Sequence, residues 1–233
     1  MEYFYTPPRL VTASSLVIEG DEFAHLTHVM RKGMHDVIRV VDGAGNMYDV
    51  VITQLAARSV TCTINAHYIR AHEADRTVVL GAAILKHGAS FDFLVEKATE
   101  IGVSEVVPLL TERTIPRHAK NDRWQKLALA AMKQSQRCFL PPVRPLTTLH
   151  EFLRTADNSS LKFIPHEKVT EPLLRDVVPT EVRKAIIVIG PEGGFTDEEI
   201  AAAGSAGFLS VSLGPRRLRA ETAAVVAAAQ ILL

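Results

Sequence analysis

Cysteine is nearly absent: the 233 residues hold two, Cys62 and Cys138, far apart in the chain. So few thiols exclude a disulfide framework and a cysteine-based zinc site, and both are expected to be buried apolar filler. His25 and His28 lie three apart on an expected helix, but no acidic or sulfur residue stands at matching spacing, so no metal site is expected. Net charge is missing too. The 26 basic residues balance the 26 acidic ones, which argues against a protein that coats nucleic acid nonspecifically. No apolar run reaches membrane-spanning length: Ala223 to Leu233 is short and interrupted by Gln230. Met1 to Leu10 has no basic segment leading into an apolar stretch, and a cytoplasmic protein is expected. There is no internal repeat and, apart from an Ala-rich end, no low-complexity segment.

With 47% hydrophobic and 22% charged residues, the chain can bury one substantial core or two smaller ones. Its organisation supports two unequal parts. A helix over Asp21 to Arg31 precedes strand-like runs at Val37 to Val41, Met47 to Leu55 and Val60 to Ile69, with Gly43 to Asn46 as a turn. The polar stretch Arg70 to Asp75 reads as a linker. From Thr77 onward strands alternate with helices, the pattern of an α/β sheet with parallel pairs. Phe91, Leu94, Val95, Ala98 and Ile101 keep helical spacing, and Gly102 fits the stop position. Val103 to Leu110 then reads as a strand, Asn121 to Arg137 as a helix stopped by Pro141 and Pro142, and Leu149 to Ala156 as a further helix.

Two loops concentrate the chemistry. After the apolar strand Ala185 to Ile189 comes Gly190-Pro191-Glu192-Gly193-Gly194-Phe195, and Thr196 with Glu199 has the capping-box spacing that opens a helix. The glycines allow close approach of a ligand or another backbone, and the free N–H groups of a helix start favour polar or anionic ligand groups. The loop lacks the Gly-x-Gly-x-x-Gly order and the Gly-Lys-Ser/Thr ending, which disfavours a nucleoside triphosphate. The arrangement repeats at Gly214-Pro215-Arg216-Arg217-Leu218-Arg219, between the strand Phe208 to Leu213 and the C-terminal helix. In an open α/β sheet, loops at strand ends lie where small molecules bind.

Charge is local rather than global. Between Glu112 and Arg144, Arg113, Arg117, Lys120, Arg123, Lys126, Lys133, Arg137 and Arg144 stand against only Glu112 and Asp122, and Arg216, Arg217 and Arg219 form a second cluster. Gathered on one rim, these would hold a phosphate backbone and make binding strongly salt-dependent.

Ile-Gly-Pro-Glu-Gly-Gly-Phe (189–195) and Leu-Gly-Pro-Arg-Arg-Leu-Arg-Ala-Glu-Thr-Ala (213–223) resemble the two cofactor loops of the ribosomal RNA small-subunit methyltransferase E family, of the SPOUT superfamily. The likeness extends through Lys97 to Val103, Pro108 to Arg113 and Gln134 to Arg137, and more weakly through His28 to Lys32. It covers nearly the whole chain. The resemblance implies an α/β knot, a trefoil-knotted parallel sheet over residues 71–233, behind a PUA-like RNA-binding β-barrel over 1–70. It also implies a homodimer that transfers a methyl group from S-adenosylmethionine to N3 of a uridine in 16S ribosomal RNA, acting on free RNA or the assembled 30S subunit. The family's opening usually places an arginine before an aromatic pair; this chain has Glu2 before Tyr3-Phe4-Tyr5, and these aromatics are not assigned to a site.

Such a transfer needs the N3 proton removed and the ring anion stabilised, tasks for a guanidinium and a carboxylate. Arg219 is the first candidate, then Arg113 or Arg137, with Glu221 or Glu112 as orienting or proton-accepting carboxylate. Cofactor contacts are expected from Gly190, Glu192, Gly193, Gly194, Leu213, Gly214, Leu218 and Ala223, with Leu109 and Leu110 as apolar wall. RNA contacts are expected from Arg9, Arg31, Lys32, Arg117, Lys133, Arg137, Arg216 and Arg217. The alternative is a noncatalytic RNA-binding protein that keeps the fold.

Overall fold

The computed structural model describes residues 2–115 and 117–233; Met1, where the expected N-terminal domain begins, lies outside the described residues, as does Pro116. The chain divides into two units, Met1–Glu73 with Leu129–Leu140, and Ala74–Ala128 with Pro141–Leu233.

In the first unit, strands β1 (Tyr3–Tyr5), β2 (Ser15–Glu19), β3 (Val37–Val41), β4 (Asn46–Leu55) and β5 (Ser59–Ile69) form one sheet in the order β1-β3-β4-β5-β2. All neighbours are antiparallel except β1 and β3. Beyond β1, the Thr6 hydroxyl donates to the Val17 carbonyl in β2, so the two edges of the sheet meet and it curls around its own core. That core holds Phe4, Leu16, Ile18, Leu26, Ile38, Val50, Ile52 and Cys62, each contributing roughly 1.5–3 kcal/mol where a large apolar side chain is fully buried. The strands expected at 37–41 and 47–55 form nearly as read. The expected helix at 21–31 is shorter: α1 (Gly20–Ala24) runs into a wider π-helical turn at His25–Val29. Tyr3 and Phe4 pack inside their own unit.

The Leu129–Leu140 segment brings Met132 and Cys138 against Tyr3, Val41 and Met47. Its anchor is Glu73, whose carboxylate accepts from the Arg137 guanidinium at 2.7 Å and from the N–H groups of Cys138 and Phe139, both at 2.9 Å. Burial pushes the Cys62 thiol up to about 12, and burial with the nearby Glu73 carboxylate pushes Cys138 up to about 11.

In the second unit, β6 (Thr77–Ala83), β7 (Glu105–Leu110), β8 (Thr147–Thr148), β9 (Leu161–Pro165), β10 (Lys184–Ile189) and β11 (Leu209–Val211) form a six-stranded sheet, order β11-β9-β10-β6-β7-β8. Every pairing is parallel, as the alternation of strands and helices led one to expect. The helices are α2 (Gly88–Ile101), α3 (Asn121–Gln134, whose last turns belong to the first unit), α4 (Leu149–Thr155), α5 (Leu174–Val177), α6 (Asp197–Ser205) and α7 (Ala220–Leu232). Central β10 is buried from Ala185 through Ile189, which explains its unbroken apolar run. The alanine-rich α7 packs on α2, with Ala220, Ala224, Ala227, Ala228 and Ile231 buried.

Several boundaries differ from the reading: β11 covers Leu209–Val211 rather than Phe208 to Leu213, since the Phe208 N–H closes α6 on the Ala203 carbonyl, and α4 ends at Thr155 rather than Ala156. Strand β7 begins at Glu105 rather than Val103, because the Val103 N–H closes the end of α2 on the Ala98 carbonyl. Helix α3 ends at Gln134 rather than Arg137: the Ser135 hydroxyl bonds back to the Ala131 carbonyl, and Gln136 turns left-handed with φ 62°. No helix among the described residues is long and apolar enough to cross a membrane.

Candidate active site

Parallel strands deliver their following loops to one end of the sheet, and here those loops surround a cavity of about 770 Å³. The loop after β10 supplies Gly190, Glu192, Gly194 and Phe195; the loop after β11 supplies Leu213 to Arg219; the first turn of α7 supplies Glu221 and Ala223. The sequence explains each turn. Ile189 ends a buried strand, and a Cβ at position 190 would meet the Phe195 ring at 3.0 Å, so only glycine lets the loop fold back on that ring. Gly194 has φ 68°, which a side chain would strain, and its N–H bonds the Pro191 carbonyl at 2.9 Å. The chain then enters α6 through a complete capping box: Thr196 Oγ1 accepts from the Glu199 N–H, and Glu199 Oε2 accepts from the Thr196 N–H at 2.9 Å. Lys168 bonds Asp197 in the first turn of α6 at 2.7 Å and holds that carboxyl below its ordinary value of 3.8.

At the α7 end, Arg219 is the residue preceding the helix, with an exposed side chain and no cap bond from it. Glu221 follows in the first turn, where its Oε1 accepts from the Ser90 hydroxyl of α2 at 3.2 Å. The cavity lining therefore includes Arg216, Arg217 and Arg219 and the oriented Glu221 carboxylate, together with backbone and apolar groups. This set can stabilise a delocalised anion and take up a proton.

Not every expected residue lines this wall. Gly193, Leu109, Leu110 and Arg113 are absent from it. Leu109 is fully buried in the core behind the loops. Arg113 reaches the glycine loop from the outside, its Nη1 donating to the Gly193 carbonyl at 2.7 Å and the Phe195 carbonyl at 3.1 Å. Of the residues expected to meet RNA, Arg31, Arg117 and Arg216 are exposed, Arg9 is exposed and pairs with Glu19 at 3.1 Å, and Lys32 is half-buried. Arg217 pairs with Glu167 at 3.4 Å across the cavity rim. Lys133 and Arg137 have partners inside the first unit, Glu22 and Glu73, and the Arg137 side chain is only 4% exposed.

Sequence reading missed a third wall. Pro165 at the end of β9 and His166, Glu167 and Val169 after it line the cavity, as do His87 and Ser90 at the start of α2. The signal was weak: Leu161–Pro165 is a five-residue strand with Lys162 inside it, although its place between β11 and β10 forces the following loop toward the site.

Together the parallel sheet and the cavity at its loop end define a small-molecule enzyme site in a chain that also carries a separate β-rich unit, and two family models match: the RNA methyltransferase domain over residues 72–232 and the RNA methyltransferase PUA domain over residues 18–65. A ribosomal RNA small subunit methyltransferase E of Synechocystis is 36% identical, over 96% of this chain and 76% of that one. Among solved structures, the Neisseria gonorrhoeae ribosomal RNA small subunit methyltransferase E bound to S-adenosyl methionine is 30% identical with TM-score 0.84, covering 98% of this chain and 95% of that one. A methyltransferase of Legionella pneumophila, in complex with the same cofactor, is 29% identical with TM-score 0.86, covering 98% and 96%. The class is thus an RNA methyltransferase with a PUA domain. Within it, the chain belongs to the ribosomal RNA small subunit methyltransferase E family.

Proposed function

We propose that this chain transfers the methyl group of S-adenosylmethionine to N3 of a uridine in 16S ribosomal RNA. One observation carries the reading: the two Gly-Pro loops, which follow different strands of the sheet, share a single cavity with Arg219 and Glu221 on its wall. The residues fit the cofactor. About 770 Å³ lies within the roughly 300–1,000 Å³ of small-molecule sites, and the wall mixes main chain at Gly190, Gly194 and Gly214 with apolar Ile189, Leu213 and Leu218. Main-chain groups in an apolar slot suit the edge and faces of adenine. When bound, S-adenosylmethionine supplies an electrophilic methyl group on a sulfonium.

The chain's own residues do the rest. Glu192 and Ala223 complete the cofactor's surroundings, Gly193 shapes the turn beside them, and Leu109 supports the loops from the core. The Arg219 guanidinium stabilises the uridine anion, whose charge spreads onto the two carbonyl oxygens beside N3. Glu221, oriented by Ser90, accepts the N3 proton. Arg9, Arg31, Lys32, Arg117, Arg216 and Arg217 hold phosphates, while Lys133 and Arg137 serve the first unit through Glu22 and Glu73. Residues 1–70 act as the RNA-binding domain and 71–233 as the knotted catalytic domain of a cytoplasmic homodimer.

Titration calorimetry of the full chain with S-adenosylmethionine tests the reading. Saturable binding is expected; no heat of binding at millimolar cofactor would overturn it.

A further inference from the structure

The glycine loop is held by bonds from two neighbouring segments, after β6 and after β7, that the reaction itself does not call for. From the β7 side, Arg113 Nη1 donates to the carbonyls of Gly193 and Phe195, at 2.7 and 3.1 Å. From the same segment, the Glu112 N–H donates to Glu199 Oε1 at 2.8 Å, while Glu199 Oε2 takes the Thr196 N–H at 2.9 Å. The Arg113 side chain also lies flat on the turn: a Cβ at Gly193 would meet its Cβ and Cδ at 3.5 Å. From the β6 side, the Lys86 N–H donates to Glu192 Oε1 at 2.9 Å.

We infer that Arg113 and Glu199 are positioning residues that fix the Gly193–Thr196 turn in the geometry the cofactor meets, and that Arg113 is not the cation of the reaction. Three lines converge on this. Arg113 stands outside the cavity wall. One guanidinium nitrogen is committed to two backbone carbonyls, charge-assisted bonds of the stronger kind. Glu199 uses both carboxylate oxygens, one to start its own helix and one to hold the neighbouring loop, so the capping box doubles as a tie between two strand ends. A turn containing two glycines has high conformational entropy when untied, and fixing it beforehand lowers the cost of binding. In this chain the tie comes from the loop that follows β7, a sheet neighbour of β6 and not of β10, so the bonds reach past β6 to brace the glycine loop from outside the cavity.

The inference rests on the cofactor reading above, and its test separates the two. Arg113→Ala should weaken S-adenosylmethionine binding in calorimetry about tenfold, the effect of losing one or two charge-assisted bonds. The loss should appear in KM for the cofactor, with the pH profile of kcat for methylation of small-subunit RNA unmoved. Arg113→Lys, with a donor but no planar fork, should recover part of the affinity. Amide hydrogen exchange in the cofactor-free protein should rise at Gly193 to Phe195 in Arg113→Ala and stay unchanged in β10. Exchange and affinity both like wild type would overturn the inference, as would a fall in kcat with KM intact. Wild-type protein that takes up no cofactor would overturn the functional reading instead, and the exchange comparison would still decide whether Arg113 holds the turn.

Discussion

Arg219, the proposed catalytic cation, lines the cavity, directly precedes α7 and has an exposed side chain, and Glu221 stands two residues on. Arg219→Ala is expected to lower kcat for uridine methylation by about 10²–10³, the usual effect of removing one electrostatic stabiliser of a transition state, with cofactor affinity changed little. Steady-state kinetics on small-subunit RNA measure both. Gly190 makes the opposite kind of prediction. The methyl group of Gly190→Ala would press on Phe195 at 3.0 Å, and overpacking of roughly 1–3 kcal/mol should weaken cofactor binding about tenfold or more by calorimetry while RNA affinity stays near wild type. At this scale the site was legible where residue type dictates backbone, as at Gly190, Gly194 and the Thr196–Glu199 box. It was not legible for Glu167 and His166, whose roles follow from where β9 sits in the sheet and from nothing in their own neighbourhood.

Elements carry the next set of constraints. Across β3 and β4, Arg39 and Asp49 are opposed in register and joined by two bonds, 2.6 and 3.0 Å, with Tyr68 adding a third to Asp49. The hydrogen bond from Arg39 holds the Asp49 carboxyl below its ordinary value of 3.8. A carboxyl with a lowered folded value stabilises the unit above pH 3.8, and that contribution is lost as pH falls through the folded value. Asp49→Asn should therefore lower thermal stability at neutral pH, by about 1 kcal/mol for a half-buried bidentate pair, and the difference from wild type should shrink below pH 3.8. Melting curves at pH 7 and pH 3 check it. The long strands β4 and β5 were readable because one face is solvated, and the shorter β3 from its branched apolar residues. Strands β2 and β9 were not, because polar residues leave each only a three-residue apolar run or shorter: Ser15 and Glu19 bound β2, and Lys162 sits inside β9. The early end of α3 depended on Ser135 bonding back to its own helix, a local competition that helical spacing does not register.

For the whole molecule, zero net charge coexists with local basic clusters, so RNA should be held at particular places rather than over the surface. Binding to small-subunit RNA should weaken linearly in log–log plots against salt, and Arg216→Ala with Arg217→Ala should flatten the slope by about 0.7 for each phosphate no longer neutralised. An unchanged slope would remove those arginines from the RNA-facing set. The alternation of strands and helices was enough to foresee a parallel sheet, and the spaced motifs were enough to place the chain in its family. That the segment Leu129–Leu140 belongs with the N-terminal strands was not foreseeable, since it rests on Glu73 meeting Arg137 and two backbone N–H groups far away in sequence. Methyl transfer to a uridine at the one cavity is the proposal on which the other functional expectations depend. Its most direct test is mass mapping of small-subunit ribosomal RNA incubated with the purified chain and methyl-labelled S-adenosylmethionine: label at N3 of a single uridine is the expected result, and label on no uridine, or on carbon or ribose oxygen, would contradict it.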